Sequence, residues 1–192
     1  PNGTGKSSLL KILAGVDSSD RGGEVKFMKD IKVAFLDQMI DFNPQNTLFD
    51  EVYSRLGDTY DVIRRYEQAI ASGDERKIEQ AMVAMDAVDG WSAEQRIKQV
   101  LSSMKLTRLD QPMGELSGGE AKRAAIALML LQEADFLVMD EPTNHLDIDV
   151  IEYLEAYLQK SRCTLLMVTH DRYFLDRVCN TIFELDRGEL FV

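Results

Sequence analysis

Apolar residues recur at helical spacing from Lys6 to Ala14 and stop at Gly15, directly behind a polar, glycine-rich start. That pattern predicts a loop feeding a short helix. Alternation around Val25 and from Val33 to Leu36 predicts two strands. Between Asn43 and Leu106 the period changes. Leu48, Val52 and Leu56, then Tyr60, Ile63 and Ile70, then Ile78, Met82 and Met85, then Ile97, Leu101 and Met104 keep a helical spacing, predicting about three helices broken near Gly73 and Gly90. From Leu116 onward helix and strand alternate: helix 121–132, strand 136–140, helix 148–160, strand 164–169, helix 171–179, and a hairpin over 181–192 turning at Arg187 and Gly188. Alternation of that kind predicts an α/β fold with a parallel sheet. An antiparallel strand region is expected near residues 24–37, and a helical subdomain from Asn43 to Gln132.

Composition narrows the function classes. The 192 residues suffice for one domain of ordinary size. With 22 Lys and Arg against 33 Asp and Glu, the formal net charge is −11, so no generic nucleic-acid or membrane coat is expected. No apolar run reaches the roughly 18 residues of a membrane helix, and the start lacks a secretory pattern. The expectation is a cytoplasmic protein. Cys163 and Cys179 have neither disulfide-framework nor zinc spacing, which fits two ordinary thiols in a reducing compartment.

Three stretches carry chemistry. Pro1, Asn2, Gly3, Thr4, Gly5, Lys6 and Ser7, followed by Ser8, match the phosphate-binding loop G-x-x-x-x-G-K-[ST] from its second residue onward, so its leading glycine would precede Pro1. Glycines let backbone N–H groups turn toward phosphate oxygens, and the next helix offers its positive end. Lys6 would reach the outer phosphates, and the Ser7 hydroxyl would hold Mg²⁺. Phe136 to Met139 is an apolar run ending in Asp140 and Glu141. A parallel sheet places such residues at the ligand-binding edge, with Asp140 toward Mg²⁺ and Glu141 as candidate general base for an attacking water. Capping of the helix beyond Pro142 is the plainer alternative. Ser117, Gly118, Gly119 and Glu120 open a further helix and suggest a second anion-binding start.

Two anion-gripping loops in one chain resemble the ATP-binding cassette family, whose LSGGQ signature differs from Leu116–Glu120 only at Glu120. The resemblance implies a 192-residue nucleotide-binding domain, cut inside its phosphate-binding loop. It implies a head-to-tail pair with a second cassette, in which Ser117, Gly118, Gly119 and Glu120 contact ATP held by the partner. It also implies that Gln38 senses Mg²⁺ and the attacking water, that Asp147 lies in the loop crossing between cassettes, and that His170 contacts the γ-phosphate. Mg²⁺ would be held by Ser7, Gln38 and Asp140, with ATP as the substrate of an ATPase needing both cassettes.

The string Glu141-Pro142-Thr143-Asn144-His145-Leu146-Asp147 is similar to the ABC-F subfamily, proteins with two cassettes that act on ribosomes. On that likeness the chain is a first cassette, residues 43–106 are its helical arm, and its partners are a ribosome, rRNA or tRNA, with no membrane partner. The arm's basic residues, Arg64, Arg65, Arg76 and Lys77 among them, are outnumbered by acids, so it is not a simple phosphate-neutralising stripe. Trp91, Tyr53, Tyr60 and Tyr66 read as packing residues, with RNA stacking as the alternative. Competing readings are the ATP-binding subunit of a membrane transporter and a nucleotide-gated DNA- or protein-binding module. His145 and the helical insertion weigh against the first, Glu141 and His170 against the second.

Overall fold

A computed structural model describes residues 5–20, 22–37, 42–55, 57–186 and 189–191. The backbone falls into two compact units, one of residues 1–40 with 133–192 and one of residues 41–132.

In the first unit, helix α1 (Lys6–Leu13) is followed by strand β1 (Val33–Leu36). Strand β2 (Phe136–Asp140), helix α7 (Ile148–Lys160), strand β3 (Thr164–Val168), helix α8 (Arg172–Val178) and strands β4 (Glu184–Asp186) and β5 (Glu189–Phe191) belong to the same unit. The three longer strands form a parallel sheet in the order β1-β2-β3. Its register pairs Val33 with Phe136 and Phe136 with Thr164. The entrance to the sheet is fixed by Asp135, whose carboxylate accepts from the Lys32 N–H at 3.0 Å and whose carbonyl accepts from the Thr164 N–H at 2.8 Å. Because β2 is flanked on both sides, Leu137, Val138 and Met139 are all buried, which explains its unbroken apolar run. In α7, Val150, Leu154 and Leu158 recur every fourth residue and are all buried.

The second unit contains α2 (Leu48–Arg55), α3 (Asp58–Ser72), α4 (Glu75–Ala87), α5 (Gly90–Ser103) and α6 (Gly118–Leu131), with a single 3-10 turn at Met113–Glu115. Helices α3 and α4 pack against each other, and α5 touches α3, α4 and α6. Residues Ile126 to Leu131 of α6 are buried without a break, so this helix is the centre of its unit. The candidate stacking residues are packing partners. Tyr66 and Trp91 meet edge to face at 4.9 Å, and Tyr53 lies 4.1 Å from the Phe49 ring and 6.5 Å from the Tyr60 ring.

The parallel α/β reading holds, and three expectations are corrected. The stretch around Val25 forms no strand, and β1 pairs in parallel with β2, so residues 24–37 are not an antiparallel region among the described residues. Alternation supplies a face but not a ladder partner, and none is hydrogen-bonded to that stretch. The segment from Leu48 to Ser103 holds four helices in place of three. The extra break is at Gly57, whose φ of 77° is a backbone position that other residues rarely adopt. Helix α6 begins at Gly118, three residues before the expected start, because Ser117 caps it. The terminal hairpin is antiparallel, and its expected turn at Arg187 and Gly188 lies outside the described residues.

Candidate functional site

Parallel strands end at the same edge, so β2 and β3 bring Asp140, Glu141, Thr169 and His170 to one rim. Asp140 ends β2 at 1% exposure, and Glu141, directly after it, is 8% exposed. The Glu141 N–H donates to the Val168 carbonyl at 2.8 Å, which ties it to the end of β3. Its carboxylate then faces His170 twice. One oxygen accepts from the His170 backbone N–H at 3.3 Å, and the other lies 3.4 Å from the ring Nε2. The imidazole itself is 66% exposed, so a buried carboxylate orients an accessible ring.

This arrangement carries backbone strain. Glu141 has a φ of 48° and His145 a φ of 63°, both in the left-handed region that non-glycine residues adopt at a cost of about 1–2 kcal/mol. A strained carboxylate held at a sheet edge is a form of pre-organisation. Thr169 supports the same corner, with its hydroxyl 3.4 Å from that of Thr143 and accepting from the Asp171 N–H at 3.1 Å. Asp171 in turn caps α8 by accepting from the Phe174 N–H at 3.1 Å.

The phosphate-loop residues enter the same unit through α1. Gly5 adopts a φ of 84°, and no side chain among the described residues caps the helix that starts at Lys6. Space around a Cβ at Gly5 is open within 4 Å. Such a start can accept an anion through its backbone and positive helix end. Helix α1 contacts β2 and β3. Lys11, one turn further along, pairs with Asp37 at 2.9 Å, just past β1. That carboxylate raises the Lys11 ammonium above its ordinary value by hydrogen bond and charge, and Asp140 adds to the effect. Asn2, Gly3, Thr4 and Gln38 lie outside the described residues.

The donor set suits a hard cation. Ser7 offers a hydroxyl, and Asp140 a buried carboxylate that favours positive charge beside it. Among the described residues no group of three or more His, Cys, Asp or Glu side chains could cage a metal. One carboxylate and one hydroxyl are what Mg²⁺ takes when it keeps waters and phosphate oxygens as its remaining ligands.

Ser117, Gly118, Gly119 and Glu120 belong to the helical unit. The Ser117 hydroxyl accepts from the Glu120 N–H at 3.3 Å and donates to Glu120 Oε2 at 2.8 Å, and the same oxygen accepts from the Ser117 N–H at 2.9 Å. The Ser117 N–H and hydroxyl, with Arg108 as a smaller contributor, hold the Glu120 carboxyl below its ordinary value. Asp147 occupies the cap position of α7 without a side-chain hydrogen bond to the helix. The cavity of about 240 Å³ in the helical unit, walled by Phe49, Val52, Tyr53 and Leu101, includes none of the motif residues.

Sequence reasoning missed the Lys11–Asp37 pair, the Thr143–Thr169 contact and Arg108. The first two link positions 26 residues apart, and no local pattern marks them. The capping box was readable, since Ser117 and Glu120 stand in the S-x-x-E spacing that defines one.

Comparison with known proteins gives the family and the fold. The family described as ABC transporter matches residues 1–144. YfmR of Bacillus subtilis strain 168, an uncharacterized ABC transporter ATP-binding protein, is 43% identical over 199 residues, covering 100% of this chain and 32% of its own. The energy-dependent translational throttle protein EttA of Escherichia coli K12 is 36% identical over 197 residues, covering 98% of this chain and 35% of its own. The chain thus spans about a third of the length of these relatives, which are of the ABC-F type. A solved ATP-binding subunit of an ABC transporter superposes with a TM-score of 0.71 at 21% identity, covering 98% of this chain and 72% of that one, a likeness of fold. The match over residues 1–144, three quarters of its length, shows that the chain belongs to the ATP-binding cassette family.

Proposed function

We propose that this cassette hydrolyses ATP within an ABC-F protein, and that closure onto a second, head-to-tail cassette couples nucleotide state to ribosome binding. The observation that carries the reading is Glu141, whose backbone is strained and whose buried carboxylate is set 3.4 Å from the His170 ring. In this reading Glu141 takes a proton from the water that attacks the γ-phosphate, and the exposed edge of His170 steadies charge on the transferred group. Lys6 and the backbone of residues 2–8 grip the outer phosphates. Ser7, Asp140 and Gln38 would hold Mg²⁺, which supplies charge neutralisation on the phosphate oxygens.

Ser117, Gly118, Gly119 and Glu120 face the nucleotide of the partner cassette, and Asp147 sits at the crossing between the two. Residues 43–106 serve as the arm that meets the ribosome or its RNA. The ribosomal part of the reading is supported by the relative EttA, described as a translational throttle. Among the described residues no helix is long and apolar enough to cross a membrane.

The test is sedimentation of the full-length protein, carrying Glu141→Gln and its counterpart in the second cassette, with ribosomes in ATP and in ADP. Co-sedimentation in ATP alone is the expected result. Equal sedimentation in both nucleotides, or none in either, contradicts the coupling.

A further inference from the structure

The signature segment of the helical unit has a third member that the motif does not name. Arg108 stands outside α6, twelve residues before Glu120, and its guanidinium reaches Glu120 Oε1 at 3.3 Å. The other carboxylate oxygen, Oε2, accepts both the backbone N–H and the hydroxyl of Ser117. The carboxylate is therefore shared, with one oxygen on the arginine and the other on the serine. We propose that Arg108 is a positioning residue for the signature segment, neutralising and orienting Glu120 so that Ser117 can receive a nucleotide phosphate. This inference rests on the proposed role of Ser117 toward the partner cassette's ATP.

The physical argument starts from charge. A nucleotide triphosphate approaching Ser117 meets a carboxylate one hydrogen bond away from the hydroxyl it needs. That carboxylate repels the phosphate, and it also occupies the serine proton as a charge-assisted acceptor. A signature ending in glutamine presents neither problem, because an amide carries no charge. Glu120 at this position creates a need for a cation, and Arg108 supplies it from outside the motif. The guanidinium is planar and always charged, so it can draw one carboxylate oxygen aside without titrating.

The pair adds little to folding. The Arg108 side chain is 66% exposed and that of Glu120 26% exposed, and such surface pairs contribute about 0–1 kcal/mol. Its value lies in the charge met by an incoming anion. The helix start is also sound without it, since the reciprocal bonds of Ser117 and Glu120 complete the cap. Removing Arg108 therefore leaves the fold and exposes the carboxylate.

The test uses steady-state ATP hydrolysis by the full-length protein, with KM and kcat measured separately. Arg108→Ala is expected to raise KM for ATP about five-fold, the size of one charge about 4 Å away at the dielectric of water, with kcat within about two-fold. Arg108→Lys should restore most of the affinity. In a Glu120→Gln background the Arg108→Ala change should alter KM by less than about two-fold, because no carboxylate remains to neutralise. Raising ionic strength should shrink the effect in the Glu120 background. An unchanged KM in Arg108→Ala overturns the proposal, as does an equal rise in the Glu120→Gln background. The underlying reading fails separately: if Lys6→Ala hydrolyses ATP as well as the unaltered protein, nucleotide chemistry itself lies elsewhere, whatever Arg108 does.

Discussion

Two helix starts carry glycines suited to an anion, and they are built in opposite ways. Helix α1 opens on a left-handed glycine with no side chain capping it and no acid in its first turn. Helix α6 opens on Ser117, closed by a full capping box with Glu120. The first leaves its N-terminal backbone to a ligand, whereas the second satisfies its own. A glycine at the helix start forgoes roughly a few tenths of a kcal/mol that a serine or aspartate would provide, which a bound phosphate can return. A capped start is stable without a ligand, and another phosphate can be received only by rearranging the cap. The difference fits the proposed roles, with α1 toward resident nucleotide and α6 toward a contact that is made and broken.

That contrast gives the mutations their order. Lys6→Ala should weaken nucleotide binding about 10- to 100-fold, the loss of a charge-assisted contact, while thermal stability without nucleotide stays within about 0.5 kcal/mol. Calorimetric titration with ATP and a thermal melt check the two halves of that expectation. Ser117→Ala should do the reverse without nucleotide, destabilising the helical unit by about 1 kcal/mol through the lost cap. Hydrogen exchange at the first turn of α6 reports it locally. If both substitutions changed stability alike, the distinction between the two starts would collapse.

Acid should touch the helical unit next. The Glu120 carboxyl is held low by the Ser117 N–H and hydroxyl, and that of Asp50 by the Thr47 hydroxyl and N–H. Both have folded values below their unfolded ones, so their stabilisation is present above the ordinary carboxylate range and lost as pH falls through the lower folded values. The groups are half-buried at the surface and screened by solvent, and the effect should be about a few tenths of a kcal/mol below about pH 4. Denaturation midpoints against pH measure it, and Glu120→Gln should flatten part of that acid limb. A change of similar size and opposite sign is expected at His145, exposed with a φ of 63°. His145→Gly should stabilise the sheet unit by about 0.5 kcal/mol through relief of that strain, offset in part by added freedom of the unfolded chain. A melt of that variant decides the sign.

The two regions also differ in what their sequence discloses. Strand β2 was legible because a central parallel strand is buried on both faces and must read as an apolar run, and the two acids that end it, buried like the run itself, break its apolar character. Strand β3 was found from its apolar run Thr164–Val168, and α7 from its helical apolar spacing. Residues near Val25 misled, since alternation describes one chain while a strand requires two. In the helical unit, apolar spacing ran through Leu56 and hid the break at Gly57, where the backbone conformation and not the pattern decides. At the site, Asp140, Glu141 and His170 could be chosen from sequence, but the strain at Glu141 and its two contacts with His170 exist only once β2 and β3 are in register. Arg108 was illegible because its partner lies across a turn and belongs to a motif that does not mention it.

The most direct measurement is single-turnover hydrolysis of ATP by the full-length protein with Glu141→Gln in this cassette and its counterpart, enzyme in excess, alongside nucleotide binding by the same protein. The account predicts intact ATP binding with hydrolysis slowed about 10²- to 10⁴-fold, the range of a lost general base. Hydrolysis within a few-fold of the unaltered protein would contradict it, and would mean that the strained carboxylate beside His170 is architecture alone.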